Sequence, residues 1–145
     1  MKQFEYAVRL AEAEEGGFVV TCRDLPEVVT QGESIDDALE QAVDAMDEAF
    51  AYRIAEGLEF PAPTPVRRGE YVVAPPAEMI AKAALYTAMA AAGLSKIELA
   101  RRLGVNEKEV RRMLDPRHGT KLARLGEAIR ALGGRLVIGL DQKVA

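Results

Sequence analysis

The sequence has one cysteine, one histidine and no tryptophan, and none of its apolar runs approaches the eighteen or so residues of a membrane-spanning helix. A lone Cys22 excludes an internal disulfide and a cysteine metal cluster, and among strand-like neighbours it reads as a small buried hydrophobe. His118 has no second ligand to support metal binding, and lies in a loop beside Arg117 where it contacts a phosphate or has no task. The opening Met1-Lys2-Gln3-Phe4-Glu5 lacks a basic region followed by an apolar core, so a cytoplasmic chain is expected. Aromatics are few, which argues against large apolar pockets.

What is abundant is charge, and it is divided. Residues 1–74 carry 6 Lys or Arg against 16 Asp or Glu, a net of −10, whereas residues 75–145 carry 13 against 7, a net of +6. Adjacent segments with opposite fields ought to meet different partners. The division suggests two domains, 1–74 and 75–145.

In the first half Phe4, Tyr6, Val8 and Leu10 alternate with other residues at the period of a half-buried strand. Glu14-Glu15-Gly16-Gly17 supplies a hairpin turn, Phe18 to Cys22 a second antiparallel strand, and Val28 to Thr30 a short third one ended by Gly32. Ser34 followed by Asp37 resembles a capping box ahead of a helix whose apolar stripe is Ile35, Leu39, Val43, Met46, Phe50 and Ile54, closing at Gly57. Pro61, Pro63 and Pro65 mark an extended connection, and Tyr71-Val72-Val73 can return as a fourth strand. A sheet covered by one helix leaves an edge or a face for a partner or a second subunit.

Catalysis is poorly served in this half. Carboxylates are many, including Asp24, Glu27, Asp36, Asp37, Asp44 and Asp47, but a two-metal nuclease needs several converging on one point. Asp37, Asp44 and Glu48 could line up only on the solvated side of the helix. There is no histidine to activate a nucleophile, and Gly16-Gly17 lacks the strand-loop-helix context of a phosphate loop. No enzymatic activity and no cofactor are expected.

In the second half, Pro75-Pro76 precedes a helix over Glu78 to Ala92, with Met79, Ala83, Tyr86 and Ala90 along one face, ended by Gly93. Ser95 and Glu98 form a capping box for a short helix carrying Leu99, Ala100 and Leu103. After Gly104-Val105, Asn106 and Glu109 repeat that arrangement for another, with Val110, Met113 and Leu114 inward. Two short helices at a glycine corner, with small Ala100 at the crossing, make a helix-turn-helix. Asn106, Glu107, Lys108, Arg111 and Arg112 are then the outward set that reaches base edges or phosphates, and Ser95 and Lys96 are candidate phosphate clamps, although Ser95 serves equally as a cap. Lys121 to Leu132 predicts a further helix through Leu122, Leu125, Ile129 and Leu132, and Arg135 to Leu140 a terminal strand. That strand could pair within the chain or with its counterpart in a second subunit, which would set two reading helices one DNA turn apart.

The motif string Tyr6-Ala7-Val8, Glu15-Gly16-Gly17-Phe18-Val19-Val20, Asp24-Leu25-Pro26 and Thr30-Gln31-Gly32-Glu33-Ser34, with a helix carrying Ala38 and Ala42 to Ala45, resembles the HicB family of antitoxins. Leu94 to Leu114, continued by Lys121 to Leu140, resembles the Cro/repressor-type helix-turn-helix of its longer members, not the ribbon-helix-helix of others. The resemblance implies an α+β chain: an antiparallel sheet with a covering helix, like a reduced ribonuclease H domain without catalysis, plus a mainly helical DNA-binding domain. It also implies masking of HicA, a small basic ribonuclease that cleaves messenger RNA, repression of the toxin-antitoxin operon, and assembly as a dimer or tetramer. An acidic half suits a protein whose own ligand is RNA, and Asp24, Glu27, Asp44, Asp47 and Glu48 are the expected toxin contacts. The competing reading is a transcription regulator whose N-terminal domain binds a small ligand or only oligomerises.

Overall fold

The computed structural model describes residues 1–142, so the last three residues of the segment expected over 75–145 lie outside it. Four antiparallel strands, β1 (Tyr6–Glu12), β2 (Phe18–Thr21), β3 (Val29–Gly32) and β4 (Tyr71–Val73), form one sheet in the order β3-β2-β1-β4. Leu10 lies opposite Val20 and Tyr6 opposite Val73, so the period of two in β1 places Tyr6, Val8 and Leu10 with them on one face. Helix α1 (Ile35–Glu56) covers that face and ends at Gly57, whose φ of 71° is the left-handed conformation a helix stop favours.

The buried face of α1 is rotated from the expected stripe. Ile35 is 42% exposed and Leu39 and Val43 are only partly buried, while Ala38 and Ala42 are fully buried with Met46 and Phe50, and Ile54 is buried beside them. The cause is a close approach: a Cβ on Gly32 would stand 2.3 Å from the Ala38 nitrogen. Only a bare backbone on β3 facing alanine on α1 permits that spacing. The cap also differs in detail. Ser34 Oγ accepts from the Asp37 amide at 3.0 Å, but the Asp37 carboxylate accepts from the amide of Glu33, not from Ser34.

The connection from α1 to β4 is strapped to the sheet layer. Tyr6 Oη donates to the Pro61 carbonyl at 2.8 Å and Lys2 Nζ to that of Phe60 at 2.8 Å. Arg23 donates to Thr64 Oγ1 and the Pro65 carbonyl and pairs with Glu70. Burial pushes the Tyr6 phenol up to about 12 and also raises the Cys22 thiol, leaving Cys22 a packed hydrophobe.

The remaining elements are helical: α2 (Ala77–Ala92), α3 (Lys96–Leu103), α4 (Glu107–Leu114) and α5 (Leu122–Ala131). Alanine-rich α2 serves two cores, with Met79 and Ala83 in the sheet core and Ala81, Leu85 and Met89 in a second core with Leu99, Val110, Met113, Leu125 and Ile129. On the face of α2 expected to be apolar, Tyr86 is only half-buried and Ala90 is exposed. At the start of α5, Leu122 is also largely exposed, correcting the expected stripe. Arg135 to Leu140 forms no strand: the segment has no ladder partner in the described chain, and only Leu136 packs on the helical core. Ile138 and Leu140 stand 71% and 83% exposed.

Candidate functional site

Two charged surfaces emerge. On the helical side, Ser95 Oγ accepts from the Glu98 amide at 3.2 Å and Glu98 reaches back to the Ser95 amide, a complete capping box that starts α3. Gly104, with φ of 69°, turns the chain out of it. Asn106 Oδ1 then accepts from the Glu109 amide at 2.9 Å to start α4. Here the reciprocal bond is missing, because the Glu109 carboxylate turns to Arg124 at 3.5 Å and Arg112 at 3.8 Å. Leu99, Ala100, Val110 and Met113 are buried between the helices.

That packing aims Asn106, Lys108, Arg111 and Arg112 outward, with Glu107 half-buried beside them. Arg111 is tethered to Glu107 at 2.8 Å. Lys108 and Lys96 are exposed and have no ion-pair partner among the described residues. The Ser95 hydroxyl is engaged with Glu98, so its visible role is the cap. His118 is exposed in the loop after α4.

The acidic surface is distributed differently from its sequence outline. Asp24 accepts from the amide and hydroxyl of Thr64, both at 3.0 Å, and Glu27 pairs with Arg53, which also donates to the Glu59 carbonyl. Burial works against the Glu27 charge, but the Arg53 guanidinium prevails and holds its carboxyl below the usual range. Both are therefore part of the strap over the α1–β4 connection. Asp47 and Glu48 receive Arg117, at 3.3 and 2.7 Å, so a cation from the basic half sits on the acidic helix. Asp44 is exposed and unpaired among the described residues. It follows Asp36 and Glu40 at helical spacing on α1, so three exposed carboxylates line one edge of that helix. No group of three or more His, Cys, Asp or Glu side chains among the described residues could hold a metal ion. No described helix is long and apolar enough to cross a membrane.

Sequence reasoning did not single out Lys82. It is 4% exposed in the middle of α2, and its Nζ donates to the Arg112 carbonyl at 2.9 Å and to Thr120 Oγ1 at 2.8 Å. Burial lowers its pKa, against the opposing effect of the Asp115 carboxylate. The signal was present: α2 is apolar almost all round, and Lys82 is its one charge beyond the first turn.

Residues 5–84 match a family described as a HicB-like antitoxin of bacterial toxin-antitoxin systems. Antitoxin HicB 1 of Photorhabdus laumondii is 37% identical over 141 residues, covering 97% of this chain and 90% of that protein. Antitoxin HicB of Escherichia coli K12 is 34% identical over 131 residues, 90% and 95% of the two chains. Antitoxin HicB of Pseudomonas fluorescens Pf0-1 is 32% identical over 139 residues, 95% and 94%.

Proposed function

Because the chain belongs to the HicB family of antitoxins, we propose that its N-terminal domain captures and masks a HicA-type messenger-RNA-cleaving toxin while its C-terminal helices repress the toxin-antitoxin operon. It acts by binding, as a cytoplasmic regulator, and carries no catalytic role or cofactor of its own.

The observation that carries the DNA-binding half is α4: Val110 and Met113 are buried while Lys108, Arg111 and Arg112 point outward from the same two turns. This is the division of labour of a helix-turn-helix of the Cro/repressor type, in which the second helix enters the major groove. The outward cations reach phosphates and guanine edges, and Asn106, whose Oδ1 caps the helix, offers its side-chain NH2 as a further donor to the duplex. Lys96, exposed at the first turn of α3, adds a phosphate contact.

For the toxin, the free edge of α1 bearing Asp36, Glu40 and Asp44 supplies negative charge to a basic RNA-cleaving protein. Asp47 and Glu48 join it when Arg117 moves aside, whereas Asp24 and Glu27 contribute by fixing the strap. A homodimer or higher assembly is supported by the exposed Ile138 and Leu140, which stand outside any ladder.

The test uses purified full chain with the promoter duplex of its own operon and the short basic protein encoded beside it. Charge reversal at Arg111, as Arg111→Glu, abolishes operator retention and leaves capture of the basic protein unchanged. Loss of both together, or retention of both, overturns the assignment of the two activities to separate surfaces.

A further inference from the structure

Lys82 is the buried charge of the described chain, and burying an ammonium is costly unless it is well hydrogen-bonded. An apolar side chain of similar length would fill the same space between α2 and the helical core. Its two acceptors identify what the ammonium does there. The Arg112 carbonyl belongs to the last turn of α4, where the helix dipole favours a cation, and Thr120 Oγ1 belongs to the loop that leads into α5. Around the same carbonyl, the Asp115 amide approaches to 3.2 Å and the Thr120 hydroxyl to 3.5 Å.

The apolar contacts of Val110 and Met113 hold α4 against the core, but such contacts are non-directional and tolerate small rotations and slides. A hydrogen bond from a lysine anchored on α2 is directional and fixes the helix end in position. Arg111 and Arg112 occupy that end and Lys108 lies one turn before it.

We propose that Lys82 is a positioning residue for DNA recognition: by pinning the C-terminal turn of α4 and the following loop to α2, it sets the angle at which Lys108, Arg111 and Arg112 meet the duplex. This rests on α4 being the reading helix, as proposed above. Lys82 touches no DNA. Its effect is therefore on discrimination between sequences, since phosphate attraction survives a small tilt and base-edge contacts do not.

The experiment compares wild type, Lys82→Met and Thr120→Val as full chains, each binding the operon promoter duplex and a scrambled duplex of equal length at one salt concentration. The active fraction is determined by titration. Amide exchange of residues 111–115 is followed in the free proteins. For Lys82→Met the promoter affinity of the active fraction falls by about tenfold, the size of one lost base-edge contact, with scrambled-duplex affinity within about twofold. Exchange in the last turn of α4 quickens, and capture of the basic partner is unchanged. Thr120→Val, which keeps the lysine and removes one acceptor, moves the same readouts in the same direction by less.

A purely structural lysine would lower the melting temperature and active fraction and quicken local exchange with them, but leave the promoter-to-scrambled ratio as in wild type; that result overturns the proposal. If Lys82→Met does not fold, a folded Thr120→Val with the wild-type ratio overturns it equally. If wild type itself fails to discriminate between the duplexes, the reading of α4 falls first, and the exchange data alone still decide whether Lys82 pins the helix.

Discussion

Lys108 offers the cleanest measure of what the outward face of α4 does, because it is the exposed cation of that helix without an ion-pair partner among the described residues. Arg111 is held by Glu107 at 2.8 Å and Arg112 lies 3.8 Å from Glu109, so on the proposed function each must loosen a neighbour before it engages DNA. If Lys96, Lys108, Arg111 and Arg112 of two protomers each neutralise one phosphate, about eight charges are involved, and log K falls with log salt at a slope of about −7. Between 50 and 200 mM salt that is a loss of about 10⁴ in affinity. Lys108→Ala removes one such charge per protomer, so the slope becomes shallower by about two and the loss over the same range shrinks to about 10³. The weakening is uniform across sequences if the contact is to phosphate. Glu107→Gln runs the other way: it frees Arg111 and removes a carboxylate from the outward side of α4 proposed to meet the duplex, strengthening binding by about 0.2–1 kcal/mol per protomer. Fluorescence anisotropy on a labelled promoter duplex across four salt concentrations measures both. A Lys108→Ala chain with unchanged melting temperature and an unchanged slope would refute the placement of α4 against DNA.

Gly32→Ala puts a Cβ 2.3 Å from the Ala38 nitrogen and 2.4 Å from its Cα, a clash of backbone with backbone, and costs about 3 kcal/mol in urea unfolding. Gly16→Ala meets nothing within 4 Å and pays only for its φ of 95°, about 1 kcal/mol; equal costs at the two sites would contradict the close approach of α1 to β3. Tyr6→Phe loses the bond to the Pro61 carbonyl and about 1 kcal/mol in the same assay. Because the folded phenol titrates at about 12 instead of 10, its contribution is complete below pH 10 and lost as pH rises toward 12, so the alkaline fall in stability is less steep in Tyr6→Phe. Glu27 has the opposite sign: its carboxyl is depressed in the folded state, so its pairing with Arg53 stabilises above the ordinary glutamate pKa and fades as pH falls through the depressed one. Glu27→Gln accordingly flattens the acid limb of a stability-against-pH curve measured by circular dichroism.

Local grammar made the elements legible. Alternation fixed Tyr6, Val8 and Leu10 to one face, and Ser95 with Glu98 and Asn106 with Glu109 located the starts of α3 and α4. What local grammar does not encode is which side of a helix meets its neighbour. For α1 the larger residues Ile35, Leu39 and Val43 outlined a plausible stripe, yet Ala38 and Ala42 are the buried positions, and Ala38 makes the close approach because its partner is a glycine. Hydrophobicity favours the large side chain, whereas close approach favours the small one, and only the tertiary pairing with Gly32 decides between them. The terminal segment shows the reverse problem: Arg135 to Leu140 has strand composition, but a strand requires a ladder partner and the described chain supplies none.

Charge summed by segment is a weaker guide than charge left unpaired. The 16 carboxylates of residues 1–74 include Glu27 and Glu70, which pair with Arg53 and Arg23 of the same segment, and Asp24, which holds Thr64. The +6 of residues 75–145 includes Arg117, whose guanidinium lies on Asp47 and Glu48 and so softens the acidic face it was counted against. Exposed pairs of this kind contribute little to stability, about 0–1 kcal/mol, but they decide which charges a partner meets without first breaking a contact. By that criterion the acidic face begins at Asp36, Glu40 and Asp44, and the basic face at Lys96 and Lys108. On the proposed function, a toxin or a duplex approaching the protein is steered by those five residues before it displaces the paired ones, and substitutions there act chiefly on association rate.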